Sequence, residues 1–271
     1  MENGTMTKKG LAKVAKSDIV GQTNYDAFGF GEDDEVEAHE LSIPFFAILQ
    51  ANSPEVEEQT IEGAKAGIIF NTVTKELYPN GVFVLPVKKD YKFVQWVPRL
   101  RGGGFAGAHD ARNENVVEAI RKNGGSVFGN LTIPGENGDD DLVETKFMNI
   151  MHYDPHTALP LGFGIISFSK TKIKPYNDWI TSMRLITPKI KKRIVIGAHI
   201  WTVKQTNPKG TFYNYLIRPA GTSWKDSPLE CPRMDAVLSE AKDFQDMLKS
   251  GMATPDFDST KADGDDGEAP F

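Results

Sequence analysis

Val82-Phe83-Val84-Leu85-Pro86-Val87-Lys88-Lys89-Asp90-Tyr91-Lys92-Phe93-Val94-Gln95-Trp96-Val97 carries the strongest β signal in the chain. β-Branched and aromatic residues fill two runs, 82–87 and 91–97. Such side chains fit a pleated, half-buried surface. The three polar residues between the runs, Lys88-Lys89-Asp90, predict a hairpin link. On the second run Tyr91, Phe93 and Gln95 face one way, and Lys92, Val94 and Trp96 the other. One face is expected in the core and the other along a groove.

Further β segments follow on both sides. Order is expected to begin near Ile43-Pro44-Phe45-Phe46-Ala47-Ile48-Leu49, with a short strand at 67–71. Strands are predicted over 147–153, 162–169, 194–204 and 211–218, the last two joined by the turn Thr206-Asn207-Pro208-Lys209-Gly210. Arg101-Gly102-Gly103-Gly104-Phe105-Ala106-Gly107 reads as a flexible loop. Helical spacing covers 115–123, 176–186 and 233–249. In the second of these Trp179, Ile180, Met183 and Ile186 share one face, so Trp179 is expected in the core. The fold class is therefore mainly β with helical insertions, a barrel or a sandwich. Three regions are expected: a flexible arm over 1–40, a folded domain over 41–251 and a disordered acidic tail over 252–271.

The chain of 271 residues can bury a core without disulfides or metal. Its one cysteine, Cys231, excludes an intramolecular disulfide and fits a reducing cytosol. No leader peptide and no run long enough for a membrane span is read. A cytoplasmic protein is expected. The net charge of -6 argues against a nucleic-acid binder until its distribution is considered. Residues 1–40 carry net -5 and residues 252–271 net -5, leaving the middle at +4.

Within the middle, Phe168 to Arg218 holds eleven bases and one acid, Asp178, a net charge of +10. Lys170, Lys172, Lys174, Lys191, Lys192, Arg193, Lys204 and Arg218 alternate there with Tyr176, Trp201, Tyr213 and Tyr215. Cations neutralise phosphates and release counterions. Exposed aromatic rings stack unpaired bases at roughly 1–3 kcal/mol each. A second block offers Lys92, Trp96, Arg99, Arg101 and Phe105 around the glycine loop. These residues are the candidate nucleic-acid contacts. The competing reading places the aromatics in the core and the lysines on a solvated face. For Tyr213 and Tyr215, two apart on one strand, both readings stay open.

The chain ends Asp263-Gly264-Asp265-Asp266-Gly267-Glu268-Ala269-Pro270-Phe271. Asp263, Asp265, Asp266 and Glu268 with the Pro270-Phe271 tip suit a small hydrophobic pocket ringed by basic residues, a partner-binding element. This ending resembles the acidic, Pro-Phe-terminated tip of bacterial single-stranded DNA-binding proteins, and phage single-stranded DNA-binding proteins have similar tails. The resemblance covers about ten residues and the charge layout. It implies an OB-like β-barrel core, sequence-independent coating of single-stranded DNA, and recruitment of replication or recombination proteins through the tail. For a phage protein the setting would be the host cytoplasm. No catalysis and no cofactor are implied, and a homodimer is left open.

Three other functions compete. One is a phage strand-annealing recombinase. Another is a phage interaction protein that binds a host enzyme rather than DNA. The third is a metal-dependent hydrolase built on His152 and His156, for which no clustered carboxylates are found nearby. His199 reads as a core histidine. Cys231 has no basic partner in sequence and is not expected to be a nucleophile.

Overall fold

A computed structural model of the protein describes residues 42–186, 197–208, 210–220, 235–251, 254–255 and 257. The expected arm over 1–40 and the tip from Asp263 to Phe271 lie outside these residues, as do Lys191, Lys192, Arg193 and Cys231. The described part is mainly β, with antiparallel sheets and a few helices. Among the described residues no helix is long and apolar enough to cross a membrane.

The predicted hairpin at 82–97 is instead one strand. β5 runs without a turn from Val82 to Trp96 and pairs along its length with β8, Gly138–Tyr153. A tight hairpin needs residues with positive φ, and Lys88, Lys89 and Asp90 have none. They continue the ladder opposite Asn149, Met148 and Phe147. The register shifts between Pro86 and Lys88, which makes Val87 the extra residue of a bulge. The shift has a packing reason. Phe83, Leu85 and Val87 before it, and Val94 and Trp96 after it, all reach the same core. An unbroken period of two would have turned one set outward. Gln245 Nε2 donates to the Val87 carbonyl at 3.1 Å and Asn149 Nδ2 to that of Lys88 at 3.1 Å, so the bulge leaves neither carbonyl without a donor.

Each long strand serves two neighbours on its outer edge. β10 (Ala198–Asn207) pairs with the start of β5, and β6 (Phe105–His109) with its end. β9 (Pro160–Ser169) pairs with β8 from Thr145 onward, and β7 (Leu131–Gly135) with β8 up to Leu142. β11 (Gly210–Pro219) adds an edge beyond β10. β8 begins at Gly138, nine residues before the strand predicted over 147–153, and takes in the acids Asp139, Asp140 and Asp141. Only 102–104 of the glycine stretch is a loop, with positive φ at all three glycines.

Both faces of the sheet are covered. Helix α4, Asp235–Ser250, places Val237, Ala241 and Phe244 against Leu85, Phe147, Met151 and Ile165. On the other face α3, Ile173–Ile186, packs Tyr176 and Trp179 on Phe168, Ile150 and Tyr215. Trp179 is buried, as its helical face predicts. Pro175 lies in the first turn of α3, where a missing N–H costs nothing. Helix α2, Glu114–Lys122, is capped by the Asn113 side chain and covers Phe93, Leu131, Ile133 and Leu142.

A small sheet of β2 (Phe46–Ile48), β3 (Ile69–Asn71) and β4 (Leu77–Tyr78) lies against the α3 face. Ile165 N–H donates to the Pro44 carbonyl at 2.9 Å, tying β9 to the segment before β2. The Gln50 side chain bonds both the N–H and the carbonyl of Tyr213 on β11, each at 2.9 Å. Order also extends past Gly251. β12, Thr254–Pro255, pairs in parallel with β1, Ser42–Ile43. Phe257 then stacks on Phe105, with centroids 4.3 Å apart, and touches Phe45 and Phe147. The start of the expected tail is thus part of the core.

Two consequences are testable. A Cβ on Gly164 would come within 2.5 Å of the Phe46 ring and 2.9 Å of the Pro44 carbonyl. Gly164→Ala should cost about 1–3 kcal/mol and lower Tm by about 2–10 °C in a thermal melt. His152 is buried against Phe46 and Tyr78, and burial holds its pKa below the usual 6.5. The fold favours the neutral ring, while the unfolded chain takes up a proton near pH 6.5. Stability should therefore fall as pH drops below about 6.5, and His152→Phe should flatten that slope in melts at pH 7.5 to 5.

Candidate nucleic-acid interface

Because the pairing of β9 stops at Thr145 and that of β7 starts at Leu142, Val143 and Glu144 have no ladder partner among the described residues on that edge of β8. The sheet splits there. On the face that α2 and α3 share, α2 covers the Phe93–Leu142 side and α3 the Phe168–Ile150 side. The strip between them is formed by Lys89 and Tyr91 of β5 with Glu144 and Lys146 of β8, which the register places on one face. Chain leaves the split on one side through Lys170–Lys172 and enters on the other through 124–130, which carries Phe128, 70% exposed. Lys170 and Lys174 are exposed. The strip thus joins both basic and aromatic blocks of the sequence, which lie about eighty residues apart.

Tyr91 is the most exposed ring on the strand floor, at 37%, and meets Phe93 edge-on at 5.5 Å. Partial burial, then the Glu144 charge and a hydrogen bond to it, push its hydroxyl up to about 12. It stays protonated at neutral pH and can donate. Lys146 Nζ lies 3.1 Å from Asn177 Oδ1, 3.9 Å from Glu144 Oε1 and 5.5 Å from the Tyr176 ring centre. Its ammonium is therefore held between Glu144 and α3. Lys174 pairs with Asp178 at 2.8 Å, an exposed i,i+4 contact of small value that an incoming phosphate can exchange.

The residues chosen from sequence divide by position. Tyr176 and Tyr215 are core, and the Tyr215 hydroxyl donates to the Phe46 carbonyl at 2.9 Å. Tyr213 packs so closely on Gly67 that a Cβ there would overlap its ring. For these tyrosines the structure favours packing over stacking, because α3 and the small sheet cover the face they occupy. Trp96 meets Phe105 edge-on at 6.0 Å, and Phe257 covers Phe105, so this pair is also core. Lys172 is buried, 5.9 Å from the Tyr215 ring centre. Lys92 lies on the opposite face and pairs with Asp110 at 2.6 Å, which holds that carboxyl below the usual range. Arg99 and Lys204 are exposed. Trp201 is half-buried, with Arg218 over its ring at 5.3 Å and His199 beside it at 4.7 Å. His199 stacks on Phe83 at 4.2 Å and its Nε2 lies 3.0 Å from the Asn80 carbonyl, but it is half-buried rather than in the core, because it sits where β10 meets the start of β5.

Arg101 has a structural partner that the sequence did not reveal. It donates to Asp140 Oδ1 at 2.6 Å and to the Asp139 carbonyl. Asp140, almost wholly buried, also accepts from Gln95 Nε2 at 2.6 Å. Gln95 Oε1 then faces His109 Nε2 at 2.7 Å, so His109 Nε2 carries the proton. Among the described residues no group of three or more His, Cys, Asp or Glu side chains is placed to hold a metal. Glu144, Lys146, Asn177 and Phe128 were missed as site residues. A strand traced back from Phe147 would have put Glu144 and Lys146 on one face with Met148, but the acids before it masked that alternation.

A family model described as Pam3 phage gp34-like protein matches residues 8–254. No curated protein and no solved structure matches the chain.

Removing Arg101 leaves the buried Asp140 carboxylate without a cation and with the Gln95 amide as its remaining donor. Arg101→Ala should cost about 3–5 kcal/mol, read as a lowered Tm. Adding Asp140→Asn should recover much of the loss. Recovery would mark Arg101 as a partner of Asp140 rather than of phosphate.

Proposed function

The chain belongs to the Pam3 phage gp34-like family, and we propose that it is a single-stranded DNA-binding protein that coats its substrate without strong sequence preference during phage DNA replication, recombination or repair. The observation that carries this reading is the strip between α2 and α3. Its floor sets the exposed Tyr91 ring beside Lys89 and Lys146, and the segments that flank the split carry Phe128, Lys170 and Lys174 as exposed side chains. Stacking surfaces interleaved with cations are what an unpaired strand needs, since bases offer ring faces and phosphates offer charge. Duplex DNA hides its bases and would use only the lysines. Arg99, Lys204, Trp201 and Arg218 would extend the contact beyond the strip.

We further propose that the core is OB-like. Five strands in the order β11-β10-β5-β8-β9 wrap one hydrophobic interior. The small sheet spans from β9, through Pro44, to β11, through Gln50. Such an arrangement suits a partly open barrel with a strand-lined binding face. In this reading the acidic tip competes with DNA for the basic strip and recruits replication or recombination proteins. The setting would be the cytoplasm of the infected host.

The test is fluorescence anisotropy with labelled oligo-dT, oligo-U and duplex DNA over a salt series. The tail should be removed after Phe257 rather than after Gly251, because Phe257 fills the core. Salt-sensitive binding to oligo-dT, tighter without the tail, is expected. Lys89→Glu with Lys170→Glu should weaken it about tenfold or more and flatten its salt slope by roughly two. Absence of single-strand binding by both forms at low salt would refute the reading.

A further inference from the structure

Glu144 lies at the split in the sheet, between Lys146 and the α2 side of the strip. Its side chain is only 10% exposed. One oxygen, Oε1, has Lys146 Nζ at 3.9 Å, and the Tyr91 hydroxyl bonds the carboxylate. The other, Oε2, is sealed from water with no donor. A buried carboxylate oxygen without a donor is costly, and most such atoms in folded proteins are paired. Its neighbours in the core are Phe93 and the α2 cluster, which offer apolar contact and no hydrogen bond. On the strip its neighbour is the exposed ring of Tyr91.

We propose, resting on the single-strand-binding reading above, that Glu144 reads the edge of a nucleobase that stacks on Tyr91, accepting a hydrogen bond from the exocyclic amino group of cytosine. A carboxylate can accept but not donate, and cytosine presents an N4 amine where thymine presents a carbonyl. Thymine at the same place would set its O4 against the unpaired oxygen and be repelled. Because Oε2 is sealed in the free protein, base reading requires that the side chains over it shift when a base stacks on Tyr91. Lys146 Nζ stays 3.9 Å from the other oxygen. The protein then coats any strand through its lysines and prefers cytosine at this one subsite.

The experiment compares oligo-dC with oligo-dT of equal length, in wild type, Glu144→Gln and Tyr91→Phe, by anisotropy at fixed salt. A thermal melt of each variant checks that it is folded. Wild type should bind oligo-dC about five- to tenfold more tightly than oligo-dT. Glu144→Gln can donate as well as accept, so it should bring oligo-dT close to oligo-dC. Tyr91→Phe keeps the stacking ring but releases the carboxylate, and should lose part of the preference while keeping affinity for oligo-dT. Equal binding of the two strands by wild type, or a preference that Glu144→Gln leaves unchanged, overturns the base-reading role and leaves single-strand binding standing. No binding of either strand by wild type overturns the underlying function instead.

Discussion

The antiparallel pairing of β5 with β8 is the constraint on which the other elements depend. These two strands span the sheet, and every other strand of that sheet is attached to them directly or through one neighbour. Their length creates the problem that the Val87 bulge solves. A strand of fifteen residues with strict alternation would hold one face inward throughout. This sheet must bury Phe83 and Leu85 near its start and Val94 and Trp96 near its end against one core. One inserted residue reconciles the two parities, and Gln245 and Asn149 meet the carbonyls beside it.

The same pairing decides where the sheet is incomplete. Two strands share each outer edge, and neither pair fills it. On β5 the open segment includes Lys88, Lys89 and Lys92. Lysines on an unpaired edge discourage association with another sheet, so these charges have a role in the fold apart from any ligand. On β8 the open segment is Val143 and Glu144. That gap separates α2 from α3 and exposes Tyr91 and Lys146 between them.

Cations and rings turn out to be divided between structure and surface. Arg101 neutralises buried Asp140, and Lys92 is held by Asp110. Tyr215, Tyr176 and Trp96 pack inside, where their large rings fill space between sheet and helix. What remains at the surface is a smaller set, and it includes the exposed Phe128 and the partly exposed Lys146, which composition did not single out. Phe257 shows the same division at the other end of the chain. It precedes an acidic run, yet its ring closes the core beside Phe105.

The β character of the chain, the helices near 115–123, 176–186 and 233–249, the burial of Trp179 and the concentration of positive charge in the middle could all be read from residue order. Each is a local property, set by side-chain periodicity or by counting charge, so it is legible without a partner strand. That 82–96 is one strand rather than a hairpin emerged from the fold, since it depends on β8 running opposite Lys88-Lys89-Asp90. The fold also decided which aromatics are covered and which cations are paired. An ion pair such as Arg101 with Asp140 joins residues 39 apart in sequence, and a ring is exposed or buried according to what packs on it from elsewhere. Long-range register carries that information, and no local pattern encodes it.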